Sequence, residues 1–156
     1  MTTERTLVIV KPDAVNRSMV GKVISRFERK GLKIVAMKMQ ILHEAKLEEH
    51  YGKHKGKGFF EGLIKYMSSI PSVLLVLEGK EAVDVVRLMV GDTAGRRAAP
   101  GTLRGDYSMS IQLNIVHASD TAAEAEKEIA RFFSKDELQH YAKLDFDWVY
   151  SADEKK

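Results

Sequence analysis

Near the start of the chain, Thr6-Leu7-Val8-Ile9-Val10 runs directly into Lys11-Pro12-Asp13. The run is compact, β-branched and without alternation, which predicts a strand buried on both faces, ended by the Lys-Pro-Asp turn. Val73-Leu74-Leu75-Val76-Leu77 repeats the pattern and predicts a second buried strand. Between them, Val20, Val23, Ile24 and Phe27 recur at helical spacing, and Gly31 is a natural stop. From Leu32 to Ile41 the pattern alternates, Ile34, Ala36 and Lys38 against Val35, Met37 and Met39, which predicts a more exposed strand. Glu44 to Tyr51 reads as a short helix closed by Gly52, Lys53 to Gly58 as a basic loop, and Phe59 to Met67 as a helix. A helix from Glu81 to Val90 would turn Ala82, Val85, Val86 and Met89 to the core. Gly91 to Ser110 shows no period, and a loop of ~20 residues in a compact domain suggests function. Gln112 to Val116 reads as a strand. A helix follows near Ser119–Thr121, opened by a Thr121-Ala-Ala-Glu124 capping box and carrying Ala125, Ile129, Phe132 and Phe133 inward.

This order fits a parallel α/β sheet or a split βαβ arrangement. Two very apolar strands, central, and two flanking ones favour the second. The expected fold class is α/β (α+β): a ferredoxin-like split βαβ domain with a four-stranded antiparallel sheet and flanking helices. With 156 residues, one domain over residues 1–150 is expected, followed by a polar tail, 151–156.

Composition narrows the chemistry. Cysteine is absent, which excludes disulfides, thiolate metal sites and a cysteine nucleophile. No stretch approaches 18 uninterrupted apolar residues, and the first residues lack an apolar leader, so a cytoplasmic protein without membrane association is expected. The net charge of +3 hides an asymmetry: residues 119–156 hold 10 acidic and 6 basic side chains, whereas residues 1–118 hold 12 and 19. Positive charge gathered in one part of the chain suggests an anion site such as phosphate, and the plainer reading, solvated Lys and Arg on surface helices, stands beside it with at least equal weight.

Two familiar phosphate devices are missing. Gly56-Lys57 has neither the upstream glycine nor the hydroxyl residue of a Walker A loop, and Gly56-x-Gly58 fails the dinucleotide spacing. His50 and His54 have i, i+4 spacing, but Gly52 interrupts the helix that would align them, so no protein-held metal is expected. His43 and His140 read as surface residues. The informative segment is Asn114-Ile115-Val116-His117-Ala118-Ser119-Asp120, a histidine at a strand end before small and capping residues that open a helix. Imidazole is nucleophilic and largely neutral near pH 7, so it can accept a phosphoryl group, although a lone histidine of this kind is more often structural.

That segment resembles the signature of the nucleoside diphosphate kinase family, close to N-x-x-H-G-S-D. Thr6 to Asp13 is similar to the family's first strand and lysine turn. Phe59-Phe60-Glu61-Gly62-Leu63 and Tyr66-Met67-Ser68-Ser69 are similar to its central helices, and Pro100 to Asp106 to its loop motif. Together they span nearly the whole chain in order. The resemblance implies ping-pong transfer of the γ-phosphoryl of a nucleoside triphosphate to His117 and on to a nucleoside diphosphate, balancing NTP and dNTP pools. It implies phosphate contacts from Lys11, Arg87, Arg104 and the Thr93 hydroxyl, base stacking on Phe59 with Leu63 a turn further, and a ribose contact from Asn114. It implies Tyr51 as a positioning residue and Glu128 as the carboxylate orienting the imidazole. Mg²⁺ is implied as a passenger on the nucleotide phosphates, and a homo-oligomer, a hexamer rather than a tetramer because Trp148-Val149-Tyr150 resembles the longer C-terminus. Nucleic acid is not required; a catalytically weak scaffold would have no need of Lys11, Arg87, Arg104, Asn114 and His117 together.

Spacing sets two structural conditions. Asn114 and His117 fall on opposite faces of a regular strand, so both reach one pocket only if the strand ends or twists before His117. Glu128 lies eleven residues beyond the histidine, so the chain must turn back over its helix. Ala118 stands where the family commonly has glycine, which requires negative φ there or strain. Ala94-Gly95-Arg96-Arg97 replaces a more usual Asn-Pro pair, which loosens that loop and adds two charges directed at water or a neighbouring subunit.

Overall fold

The computed structural model describes residues 3–155. Strands β1 (Glu4–Val10), β2 (Lys33–Gln40), β3 (Ser72–Gly79) and β4 (Val116–Ala118) form one sheet in the order β2-β3-β1-β4, every neighbouring pair antiparallel. This is the ferredoxin-like arrangement expected, with the two most apolar strands at its centre. Their continuous apolar runs follow from burial on both faces. Val8 and Val10 of β1, with Val73, Leu75 and Leu77 of β3, face helices α2 (Val20–Lys30) and α5 (Ala82–Val90). Leu7 and Ile9, with Leu74 and Val76, face α3 (Glu44–His50), α4 (Phe60–Met67) and α7 (Ala122–Phe132). Each such side chain fully removed from water contributes about 1.5–3 kcal/mol.

The α2 stripe buries Val23 and Phe27, and Gly31 ends the helix at φ 99°. A Cβ at Gly31 would stand 2.7 Å from Val149 Cγ1, so close packing as well as backbone shape requires glycine. In α5 the fully buried face is Ala82, Val83, Val86 and Val90, with Val85 and Met89 at its margin. β2 is the edge strand expected, but its alternation breaks at a bulge between Ile34 and Ala36, which leaves both Val35 and Ala36 buried. Beyond it Met37 and Met39 are exposed.

Three expectations need correction. The stretch Gly91–Ser110 is not all loop: it holds a 3-10 turn at Gly95–Arg97 and helix α6 (Leu103–Tyr107). Thr102 caps α6 by accepting from Gly105 N–H at 3.0 Å. A strand over Gln112–Val116 is not formed; β4 begins at Val116 and carries His117 at its centre, opposite Ile9. The basic segment after Tyr51 contains a 3-10 turn at Gly52–His54. Short helices α1 (Pro12–Asn16) and α8 (Phe146–Val149) complete the fold, the latter with Trp148 almost fully exposed. Among the described residues no helix is long and apolar enough to cross a membrane.

Candidate active site

A strand through His117 would by itself separate it from Asn114. The irregularity lies before His117, as that condition requires, at Ile115, whose φ is 73°. Val116 N–H donates to the Asn114 carbonyl at 2.8 Å, closing a γ-turn of the rare, strained hand. The turn reverses the parity of the chain, so Asn114 and His117 line the same cleft. Ala118 follows in regular β4, so the methyl group that replaces glycine brings no left-handed strain.

From β4 the chain passes Ser119 and the Thr121 cap into α7, whose first turns bring Glu128 back over the strand. Glu128 Oε2 lies 3.1 Å from His117 Nε2 and accepts from the buried Ser119 hydroxyl at 2.6 Å. Burial pushes the Glu128 carboxyl up, but the hydrogen bond and charge of His117, with Ser119 and Lys53, outweigh it and hold the group below its usual range. An anionic Glu128 fixes the ring with its proton on Nε2, and Nδ1 keeps its lone pair. Two aromatic rings wall the imidazole: His50 at 4.6 Å between centroids and Tyr51 at 6.0 Å. His50 is buried, and burial, followed by the charges of His117 and Arg131, lowers its pKa, so it stays neutral. The Tyr51 hydroxyl is buried with no hydrogen-bond partner among the described residues, and burial, then Glu128, raises its pKa.

Cations enclose the other side. Lys11, at the end of β1, is buried and donates from Nζ to Asn114 Oδ1 at 2.6 Å. Burial and then the Arg104 guanidinium lower its pKa to about 7, with Asp13 pulling the other way. Arg104, from α6, donates Nε to the Asn114 carbonyl at 3.3 Å, Nη2 to the Val116 carbonyl at 2.7 Å and Nη1 to the Gly91 carbonyl at 3.0 Å. It is thus a brace for the γ-turn, and burial, then Arg87, lowers its pKa to about 10. Arg87, at the end of α5, pairs with Asp120 at 2.6 Å and not with Asp84 on its own helix. Thr93 is exposed, and its carbonyl accepts from Asn114 Nδ2 at 2.9 Å. At the mouth Phe59 is 48% exposed, an unusual state for a large ring, with buried Leu63 one turn deeper. All ten residues singled out from the sequence line this single cleft of ≈ 670 Å³. Arg96 and Arg97 are exposed and outside its lining.

Sequence reasoning gave no role to four participants, His50, Ser119, Asp120 and Lys53. The His50–His54 spacing argues only against an aligned metal pair and gives His50 no role; the structure buries it on α3 against His117. Ser119 ties Glu128 to β1, donating to it and accepting from Leu7 N–H at 3.2 Å. Asp120 pairs with both Arg87 and Lys53 across the cleft mouth. His50, His117 and Glu128 bring ligand-type atoms within 4.8 Å of one another. That set does not fit Mg²⁺, which takes oxygen ligands in octahedral array, and the Arg131 guanidinium stands 3.2 Å from His50 Nδ1.

A family model described as nucleoside diphosphate kinase matches residues 4–138. The chain is 53% identical over 147 residues to a nucleoside diphosphate kinase of Archaeoglobus fulgidus, covering 94% of this chain and 97% of that one. The solved structure of a halophilic nucleoside diphosphate kinase from Halobacterium salinarum in complex with CDP superposes with a TM-score of 0.93 at 42% identity, over 96% of this chain and 99% of that one. A nucleoside diphosphate kinase from Borrelia burgdorferi, solved as a transition-state mimic with bound vanadate and ADP, gives 0.86 at 40% identity, over 92% and 94%. Matched over nearly its full length in sequence and in fold, the chain belongs to the nucleoside diphosphate kinase family and is an enzyme of that activity.

Proposed function

We propose that the kinase works by ping-pong transfer through a phosphohistidine formed on His117 Nδ1, and that residues 1–150 are its catalytic unit. The observation that carries this is the engagement of His117 Nε2 by Glu128, which leaves Nδ1 as the nucleophilic nitrogen. The Nδ1 lone pair forms a bond to the γ-phosphorus of a bound nucleoside triphosphate. The bond from that phosphorus to the bridging oxygen breaks, and the diphosphate leaves with the electron pair. Positive charge that develops on the ring is met by Glu128 through Nε2. A second nucleoside diphosphate then attacks with a β-phosphate oxygen, the N–P bond breaks, and its electron pair returns to Nδ1.

Transfer of this kind needs in-line placement and charge around the equatorial oxygens. Lys11, Arg87 and the two guanidinium donors of Arg104 not spent on carbonyls supply it, with Thr93 adding a hydroxyl. The unpartnered Tyr51 hydroxyl is a further donor, placed against the ring it helps to hold. Asn114 holds the ribose. Phe59 stacks the base and Leu63 backs it, an arrangement that accepts every base because each has a π-face. The CDP and ADP held by the two solved relatives support this substrate class. Mg²⁺ enters on the nucleotide phosphates as part of the substrate, since the ligand-type cluster found among the described residues, His50, His117 and Glu128, does not suit it. No membrane or nucleic acid takes part, and a cytoplasmic enzyme balancing NTP and dNTP pools fits these components. We further assign a homo-hexamer, supported by the resemblance of Trp148-Val149-Tyr150 to the family's longer C-terminus. Sedimentation should give six times the 17.6 kDa chain mass; a tetramer would overturn it.

Incubation with a γ-labelled nucleoside triphosphate and Mg²⁺ should give one acid-labile, base-stable label per chain, discharged by a nucleoside diphosphate as labelled triphosphate. His117→Ala should give none. Equal labelling of His117→Ala would remove the assignment.

A further inference from the structure

Among the described residues, three non-glycine residues have positive φ: Ser18, Glu81 and Ile115. Ser18 and Glu81 are exposed, whereas Ile115 is fully buried. A β-branched side chain at φ 73° is a genuine outlier, and it persists only where its surroundings over-determine it. The turn at Ile115 is held on every side. Its carbonyl accepts from Lys11 N–H at 2.8 Å, and Arg104 grips the carbonyls of Asn114 and Val116 on either side. Its own N–H donates to Asp13 Oδ2 at 3.1 Å.

Asp13 is itself aimed. The Tyr66 hydroxyl, reaching from α4, donates to Asp13 Oδ1, and Asp13 N–H returns a bond to the Tyr66 oxygen at 3.3 Å. Neither Asp13 nor Tyr66 lines the cleft. A carboxylate and a phenol therefore form a chain that starts in α4, ends on the backbone of the γ-turn and lies outside the cleft lining.

We propose that Asp13 is a positioning residue for phosphoryl transfer: held by Tyr66, its carboxylate fixes the Ile115 N–H and so the turn that points Asn114 and His117 into one cleft. The inference rests on the reading of His117 as the phosphoryl acceptor. Without the Asp13 bond the buried Ile115 N–H loses its partner, and the backbone gains by relaxing toward negative φ. That relaxation swings Asn114 relative to His117, separating the ribose contact from the nucleophile. A misplacement of about 1 Å at a reacting centre is enough to lose on the order of a hundredfold in rate.

The test is single-turnover labelling by a γ-labelled nucleoside triphosphate at saturation, with the rate constant taken per site finally labelled. Loss of stability alone lowers the number of sites, not the rate constant at each. Asp13→Ala should keep its final stoichiometry but label at least about tenfold more slowly. Asp13→Asn, whose Oδ1 can still accept from Ile115 N–H, should recover to within about threefold of wild type. Tyr66→Phe keeps the ring packing, frees Asp13 to rotate, and should slow labelling by about threefold or more; it decides the matter if Asp13→Ala fails to fold. A wild-type rate constant in Asp13→Ala or in Tyr66→Phe overturns the proposal. So does an Asp13→Asn as slow as Asp13→Ala, because Asp13 would then act through its charge on Lys11. Label persisting in His117→Ala would sink the histidine assignment instead, a different failure with a different signature.

Discussion

Lys11 is the residue whose chemistry is most altered by its surroundings. Burial and Arg104 bring its ammonium down from 10.5 to about 7, and only Asp13 resists. Phosphates entering the cleft favour the charged form, so nucleotide binding above about pH 7 must draw a proton onto Lys11. Calorimetry at about pH 8 in buffers of different ionisation enthalpy should register this uptake, and Lys11→Met should abolish it. The same shift has a sign for stability. The folded pKa lies below the unfolded one, so the unfolded chain holds more protons between about 7 and 10.5, and the contribution of Lys11 to stability rises with pH across that window. Its cost to the folded state is greatest below about pH 7, where both states are charged. Lys11→Met should therefore raise the thermal midpoint more at about pH 6 than at about pH 9; a larger gain at the higher pH would contradict the assigned shift.

At the scale of elements, α6 shows how a short helix delivers one side chain. Thr102 caps it, Asp106 Oδ1 accepts from Gly101 N–H at 2.7 Å, and Gly105 lies flush against the backbone at Ala99. A Cβ at Gly105 would overlap the Ala99 carbonyl oxygen, so Gly105→Ala must displace the helix. It should lower unfolding free energy by about 1–3 kcal/mol in denaturant melts and raise the KM for nucleotide, because Arg104 moves with the helix. Unchanged KM would mean that Arg104 is placed by its carbonyl partners alone. None of this was visible in the sequence: five residues show no apolar period, and the glycines and proline around them read as loop. The two central strands were visible, because burial on both faces demands uninterrupted apolar residues. His117 was visible through its neighbours Asn114, Ser119 and Asp120. The γ-turn was not, since Ile115 and Val116 are strong strand formers and the bonds that reverse them come from Lys11, Asp13 and Arg104, far away in sequence. His50 was hidden for the same reason, its burial being decided by α7 packing over α3 from far along the chain.

For the molecule as a whole, β1 joins the chemistry to the stability. Its alternate side chains belong to the two opposite faces of the sheet, its end carries Lys11, and its Ile9 pairs across the ladder with His117. Ser119 extends the same ladder by bonding to Leu7 while holding Glu128. The nucleophile and its carboxylate are therefore fastened to a central, buried strand, not to a peripheral loop, and the site should survive until that strand is lost. Ile9→Ala removes a fully buried side chain from the face that packs α7, and large-to-small changes of this kind cost about 2–5 kcal/mol. The expected outcome is a lower denaturant midpoint with the per-site labelling rate nearly unchanged before the transition. In both proteins, labelling capacity and far-UV circular dichroism should fall together at matched protein concentration. Trp148 belongs to neither core cluster, so its fluorescence does not report on this strand and is the wrong probe. Labelling lost well before the dichroism would show that the γ-turn segment opens on its own, and that the braces from Asp13 and Arg104 are weaker than the sheet they join.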